Sequence, residues 1–139
     1  MSNKGLDTWT FADVACGLSA SATRRIEREH IMAFIQACGD DNPIHHDEAF
    51  AANTKFKRCI AHGFLTGSLI SAMFGKIRGA VYLRQSLEFH APVFVGDEVT
   101  TKIQVYALFP EKRRVRFHCT CSVQGKLVLT GDAMLQLPA

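Results

Sequence analysis

Four stretches in the second half of the chain alternate apolar and polar positions, and a period of two predicts strands. Val81, Leu83, Gln85, Leu87 and Phe89 share one face of the first. Val99, Thr101, Ile103, Val105 and Ala107 share a face of the second, and Val115, Phe117, Cys119, Cys121 and Val123 of the third. Leu127, Leu129, Ala133, Leu135 and Leu137 make a fourth, bent or bulged near Gly131. Turn signals at Val95-Gly96-Asp97, Phe109-Pro110-Glu111-Lys112 and Gln124-Gly125-Lys126 separate them, the last two as antiparallel hairpins.

The first half follows the helical period instead. Ile31, Phe34, Ile35 and Cys38 fit an amphipathic helix that Gly39 ends. Pro43 then turns the backbone at Asn42 out of helical geometry, and a short helix is expected from Asp47 to Ala52. From Gly63 to Phe74 the pattern is apolar nearly all round, which predicts a surrounded helix. Small residues such as Gly67 and Ala72 would let a sheet approach it closely. A further strand is expected between Arg24 and Arg28, and another near Phe11. The fold class is α+β: one long central helix wrapped by an antiparallel sheet.

Length and composition narrow the classes. At 139 residues, with no repeat or long linker, residues 1–139 form a single domain, and flexibility is expected in 1–10. The 47% hydrophobic and 21% charged residues fit an ordered globular protein. A net charge of +3 lacks the basic stripe of a nucleic-acid binder but suits an anionic small molecule. The apolar run from Ile60 to Gly75 is shorter than the roughly 20 residues of a membrane span. The polar N-terminus carries no signal-peptide core, and five cysteines point to reduced thiols in a cytoplasmic protein. Cys119 and Cys121 read as small core residues.

The chemistry concentrates at Gly39-Asp40-Asp41-Asn42-Pro43-Ile44-His45. A carboxylate and an imidazole across a stiff bend can orient a water, deprotonate it and return a proton. Asn42 could brace either partner. The spacing equally allows Asp40 as a helix cap and His45 as a loop residue. His46 and Asp41 read as exposed. Gly63 opens the apolar helix, where unpaired amides and the positive end of the dipole face outward. Its amide could donate to an oxygen gaining charge, a contribution of about 3 kcal/mol in such sites; tight packing is the other reason for a glycine there. His62 is either a helix cap or a wall of the site. Ser71 either bonds its own helix or reaches the acid/base pair. Lys55, Lys57 and Arg58, and Lys112, Arg113 and Arg114, could meet phosphates or simply face solvent. The cysteine and histidine spacings match no common structural zinc pattern, so no metal is expected.

Asp40-Asp41-Asn42-Pro43-Ile44-His45 strongly resembles the hydratase-2 signature of MaoC-like dehydratases and (R)-specific enoyl-CoA hydratases. The likeness runs on through Asp47-Glu48-Ala49-Phe50-Ala51, Ile60-Ala61-His62-Gly63-Phe64-Leu65, Tyr82 to Phe89 and Ala91 to Val99, and so covers most of the chain from Arg24. Ile44 and Phe64 stand where leucine and methionine are frequent. The resemblance implies a hot-dog fold and a homodimer with acyl-CoA thioester sites near the interface. It implies Asp40 and His45 as catalytic dyad, Gly63 as oxyanion donor, and Asn42, Ser71 and His62 as supporting groups. No cofactor is implied, because coenzyme A is part of the substrate. The implied reaction is reversible hydration of trans-2-enoyl-CoA to (R)-3-hydroxyacyl-CoA. Alternatives are a 3-hydroxyacyl carrier-protein dehydratase, a hot-dog thioesterase, and a thioester-binding module without turnover.

Overall fold

Five antiparallel strands wrap the apolar helix in the computed structural model, which describes residues 5–139. Strand β1 (Ser19–Arg25) leads into helix α1 (Arg28–Cys38), short α2 (Glu48–Ala52) and central α3 (Gly63–Gly75). Strands β2 (Val81–Phe89), β3 (Glu98–Phe109), β4 (Arg114–Val123) and β5 (Lys126–Gln136) follow. Their spatial order is β1-β3-β4-β5-β2. The chain therefore closes by laying β2, the strand after the helix, along the outer side of β5.

The core forms where the alternation predicts it. Val99, Ile103, Val105, Val115, Phe117, Cys119 and Cys121 are buried under α3, whose Ile70, Met73 and Phe74 point at them. Phe74 meets Phe117 edge-on with ring centroids 4.8 Å apart, a favoured aromatic geometry. Gly39 takes the left-handed conformation (φ 83°) that ends α1, as the sequence indicates.

The departures have identifiable causes. A bulge at Tyr106 shifts the β3 register, so Leu108 packs on the core where Ala107 was expected. The register of β5 slips at Val128, not near Gly131; Val128 and Leu129 are both buried and Leu127 is exposed. Gly131 answers to a different need: a Cβ there would lie 2.3 Å from the Ser86 carbonyl oxygen, so only glycine lets β2 approach. Phe11 lies in a 3₁₀ turn, Phe11–Asp13, not in a strand. Residues 1–4 of the expected flexible segment lie outside the described residues; Trp9 is buried against the core.

Helix α3 is not surrounded within one chain. Phe64, Ser68, Ser71 and Ala72 stay exposed because the sheet covers only its other side. Val81, Tyr82, Leu83 and Phe89 of β2 are exposed as well, and a register irregularity falls at Leu83. No described helix is long and apolar enough to cross a membrane.

Candidate active site

The segment after α1 is short of regular hydrogen bonds, and side chains hold it instead. Asn42 caps the 3₁₀ turn Pro43–His45: its side-chain oxygen accepts from the Ile44 amide at 3.1 Å. Its own amide donates to the Asp40 carboxylate at 3.3 Å. Asn42 thus braces the turn itself and touches Asp40 only through backbone. Asp47 caps α2 by accepting from the Phe50 amide at 3.0 Å, a favoured role for aspartate at that position.

Three histidines then tie this segment down, each facing a backbone carbonyl. His45 Nδ1 lies 2.7 Å from the Ile60 oxygen, His46 Nε2 2.9 Å from the Asp41 oxygen, and His62 Nε2 2.9 Å from the Asp40 oxygen. A carbonyl can only accept, so each of these nitrogens carries the proton. His45 is left with an Nε2 lone pair. Ile60 returns the contact by donating its amide to the Ile44 oxygen at 3.2 Å, and Ala61 donates to Val93 at 2.7 Å. His46, expected to be exposed, is half-buried because of its bond. Asp41 is exposed, as expected.

Asp40, His45 and His62 come together across 22 residues of chain. His62, 2% exposed, stacks on His45 with ring centroids 3.8 Å apart and planes 27° from parallel. Phe34 of α1 lies 4.8 Å from the His62 ring. Burial holds the His45 pKa below its ordinary value; the bond to Ile60 and the Asp40 charge oppose that, while His62 and His46 reinforce it. His45 is therefore poised as a neutral base. The three residues offer ligand atoms within 4.8 Å of one another. The stack holds the two rings in nearly parallel planes with centroids 3.8 Å apart, however, and each lone pair lies in its own ring plane. One ion at about 2.1 Å from both nitrogens needs them to converge, so this arrangement does not suit a metal.

His62 is also the residue before α3. Leu65 and Thr66 donate to its carbonyl at 3.1 and 3.2 Å, so His62 caps the helix with its backbone. The Gly63 amide, first in the helix, has no acceptor among the described residues. A Cβ on Gly63 would stand 2.6 Å from the Phe89 ring. Gly63 thus serves both readings, a free donor at a helix start and a close approach. It lines an open cavity of 580 Å³ with Ile60, Ala61, Phe64, Thr66, Phe89 and Val93, a size suited to a small organic ligand. Lys55 and His90 are the ionisable residues among its walls. Asp40 and His45 are not among its walls; His45 connects to it through the Ile60 carbonyl, and Asp40 through His62, the residue before Gly63.

Ser71 does not join the cluster. It is exposed, makes no side-chain hydrogen bond among the described residues, and lines a groove with Phe34, Phe64 and Leu83. Ser68 is the serine that bonds back to its own helix, to the Leu65 oxygen at 2.6 Å. Of the basic clusters, Lys55 reaches the cavity, whereas Arg58 stacks its guanidinium 3.9 Å from the Phe94 ring. Sequence reasoning missed Phe34, Phe89 and the Ile60 carbonyl. Nothing in their local patterns signals the role; only the chain's path brings them in.

The chain is similar to known proteins along most of its length. A family model described as "MaoC like domain" matches residues 13–130. A 3-hydroxybutyryl-CoA dehydratase of Methylorubrum extorquens is 45% identical, over 92% of this chain and 83% of the relative. An (R)-specific enoyl-CoA hydratase of Rhodospirillum rubrum is 44% identical, over 93% and 92%. Among solved structures, the (R)-hydratase from A. caviae involved in PHA biosynthesis superposes with a TM-score of 0.88 at 41% identity, covering 91% of this chain and 98% of that one.

Proposed function

The chain belongs to the MaoC-like domain family, and on that footing we propose that Asp40 and His45 hydrate an enoyl thioester over the Gly63 amide. The protein is an enzyme, a reversible (R)-specific enoyl-CoA hydratase. The observation that carries the site reading is the commitment of His45 Nδ1 to Ile60, because it leaves the Nε2 lone pair beside Asp40 as the base.

The steps follow from that tautomer. A water held between Asp40 and His45 Nε2 gives its proton to the pair as its oxygen bonds the β-carbon of a trans-2-enoyl thioester. The double-bond electrons move toward the thioester carbonyl, whose oxygen gains charge against the Gly63 amide. The pair then returns a proton to the α-carbon, and the product is the (R)-3-hydroxyacyl thioester. Water and proton are the only co-reactants, so no cofactor takes part and coenzyme A enters only as the carrier.

The substrate site is completed by a second copy of the chain. β2 has one unpaired edge, and Phe64 (68% exposed), Phe89 (52%), Val81, Tyr82 and Leu83 would otherwise leave large apolar side chains in water. Two β2 edges joining would extend the sheet and cover the open side of α3. Light scattering on the purified protein should give twice the 15.4 kDa chain mass; a monomer refutes this. Five free thiols fit a cytoplasmic enzyme.

The test is loss of conjugated enoyl thioester absorbance with short and medium chains, with product stereochemistry read alongside. Formation of the (R)-alcohol supports the reading; free thiol release from saturated acyl-CoA, or binding without turnover, overturns it. Parallel reactions with coenzyme A and carrier-protein thioesters separate the hydratase from a carrier-protein dehydratase, which the same dyad would serve.

A further inference from the structure

His62 is expensive to keep as a histidine. Its Nδ1 is buried with no hydrogen-bond partner, one of two such side-chain atoms among the described residues. An unpartnered buried acceptor destabilises a fold, and an apolar ring of the same shape would avoid that cost. A reason to retain the imidazole must therefore lie in its other contacts.

Those contacts touch each part of the reaction centre. Nε2–H donates to the Asp40 carbonyl at 2.9 Å, fixing the backbone that carries the carboxylate. The ring face packs 3.8 Å from His45, and Phe34 packs against the same imidazole. The next residue in the chain is Gly63, whose amide starts α3 and has no acceptor among the described residues. Other bonds hold the rest of the turn, from the Asp41 amide to the Gly39 oxygen and from His46 to the Asp41 oxygen, but the Asp40 carbonyl is held by His62.

We infer that His62 is the positioning residue of this site: one buried imidazole that sets the Asp40 carboxylate, the His45 ring and the Gly63 amide in mutual register. It takes no proton from the substrate. It acts by removing the freedom of Asp40 to swing away and of His45 to tilt. Misplacement of reacting groups by about 1 Å costs on the order of 10²-fold in rate. The inference rests on the proposed hydration, since the groups positioned are those assigned to it.

Two variants separate positioning from packing. His62→Phe keeps a ring on His45 and removes the orphan acceptor, but it releases the Asp40 carbonyl. His62→Gln places an amide N–H near the position of Nε2 and loses the stack. The expected result for His62→Phe is a thermal midpoint no lower than that of the parent. Its kcat falls on the order of 10²-fold with little change in KM, and His62→Gln recovers part of the loss.

The acid limb of kcat/KM gives an independent readout. The groups facing His45 are the Ile60 carbonyl, Asp40, His46 and His62. Replacing His62 by phenylalanine removes one influence that lowers the His45 pKa, so the limb moves to higher pH. A His62→Phe protein with parental kcat and an unshifted limb overturns the inference. So does a loss of rate that only tracks the unfolded fraction. Wild-type turnover of enoyl-CoA is measured first: its absence refutes the hydratase reading, whereas its presence with a fully active His62→Phe refutes only the positioning role.

Discussion

Asp40 and Asp132 are carboxylates set among imidazole rings and backbone bonds, yet they are treated in opposite ways. Asp132 on β5 is bonded on both carboxylate oxygens. Tyr106 donates to one oxygen, Arg116 to the other at 2.9 Å, His118 Nδ1 stands 4.0 Å away, and Tyr106 stacks on His118 with centroids 4.0 Å apart. Among the described residues the Asp40 carboxylate accepts a single 3.3 Å bond, from the Asn42 amide, and Asp40 is exposed. A carboxylate bonded on both oxygens ties strands together; one left open has room for a water. The contrast separates structure from chemistry better than residue type does.

The largest effect that would break the contrast is at the open carboxylate. Asp40→Asn or His45→Gln should lower the hydration rate by roughly 10²–10⁴-fold, the usual share of a general acid or base, with the thermal midpoint nearly unchanged. Folded variants with parental rates would remove the dyad from the mechanism. Gly63→Ala comes next. Its added methyl meets the Phe89 ring, and overpacking of this kind costs about 1–3 kcal/mol; the kcat/KM for enoyl-CoA should fall further than the urea midpoint suggests.

Asp132→Asn should do the reverse. Breaking this network, on side chains about a third exposed, should show as a modestly lower urea midpoint, while turnover stays at the parental value. The network also carries a pH signature. Burial raises the Asp132 pKa, but the bonds from Tyr106 and Arg116 outweigh it and the net shift is downward. Its stabilisation is therefore present above the ordinary carboxyl value of 3.8 and is lost as pH falls through the lower folded value. The asparagine variant should lack that component of acid unfolding.

The smallest effect is at His45. With its folded pKa depressed, the unfolded chain takes up the proton first, so stability declines as pH drops below 6.5 toward the folded value. The acid limb of activity should lie below 6.5 for the same reason. A limb above 6.5 would mean that His45 is held as imidazolium by Asp40 instead.

The sheet and helices were largely legible because burial imposes a period on the sequence. Val115, Phe117, Cys119 and Cys121 read as one face and are one face. The misreadings fall where a single extra residue reverses the face, at Tyr106 and Val128, or where only one side of an element is covered, as on α3 and β2. Asp40, His45 and Gly63 were visible as residue types beside a proline bend and a helix start. Ser71 was read toward the same centre, and the fold leaves it exposed in a neighbouring groove.

The sequence by itself determined which stretches fold as helix or strand, the stiff bend between Asp40 and His45, and the family to which the chain is similar. Those properties depend on neighbours within a few residues or on a repeating pattern. Only the tertiary structure decided which nitrogen of His45 is free, that His62 lies across His45 and holds Asp40, and that Asp132 is bonded on both oxygens while Asp40 is open. Each of these depends on carbonyls and rings brought together from distant segments, and a hydrogen bond formed over about 3 Å is set by the path of the whole chain.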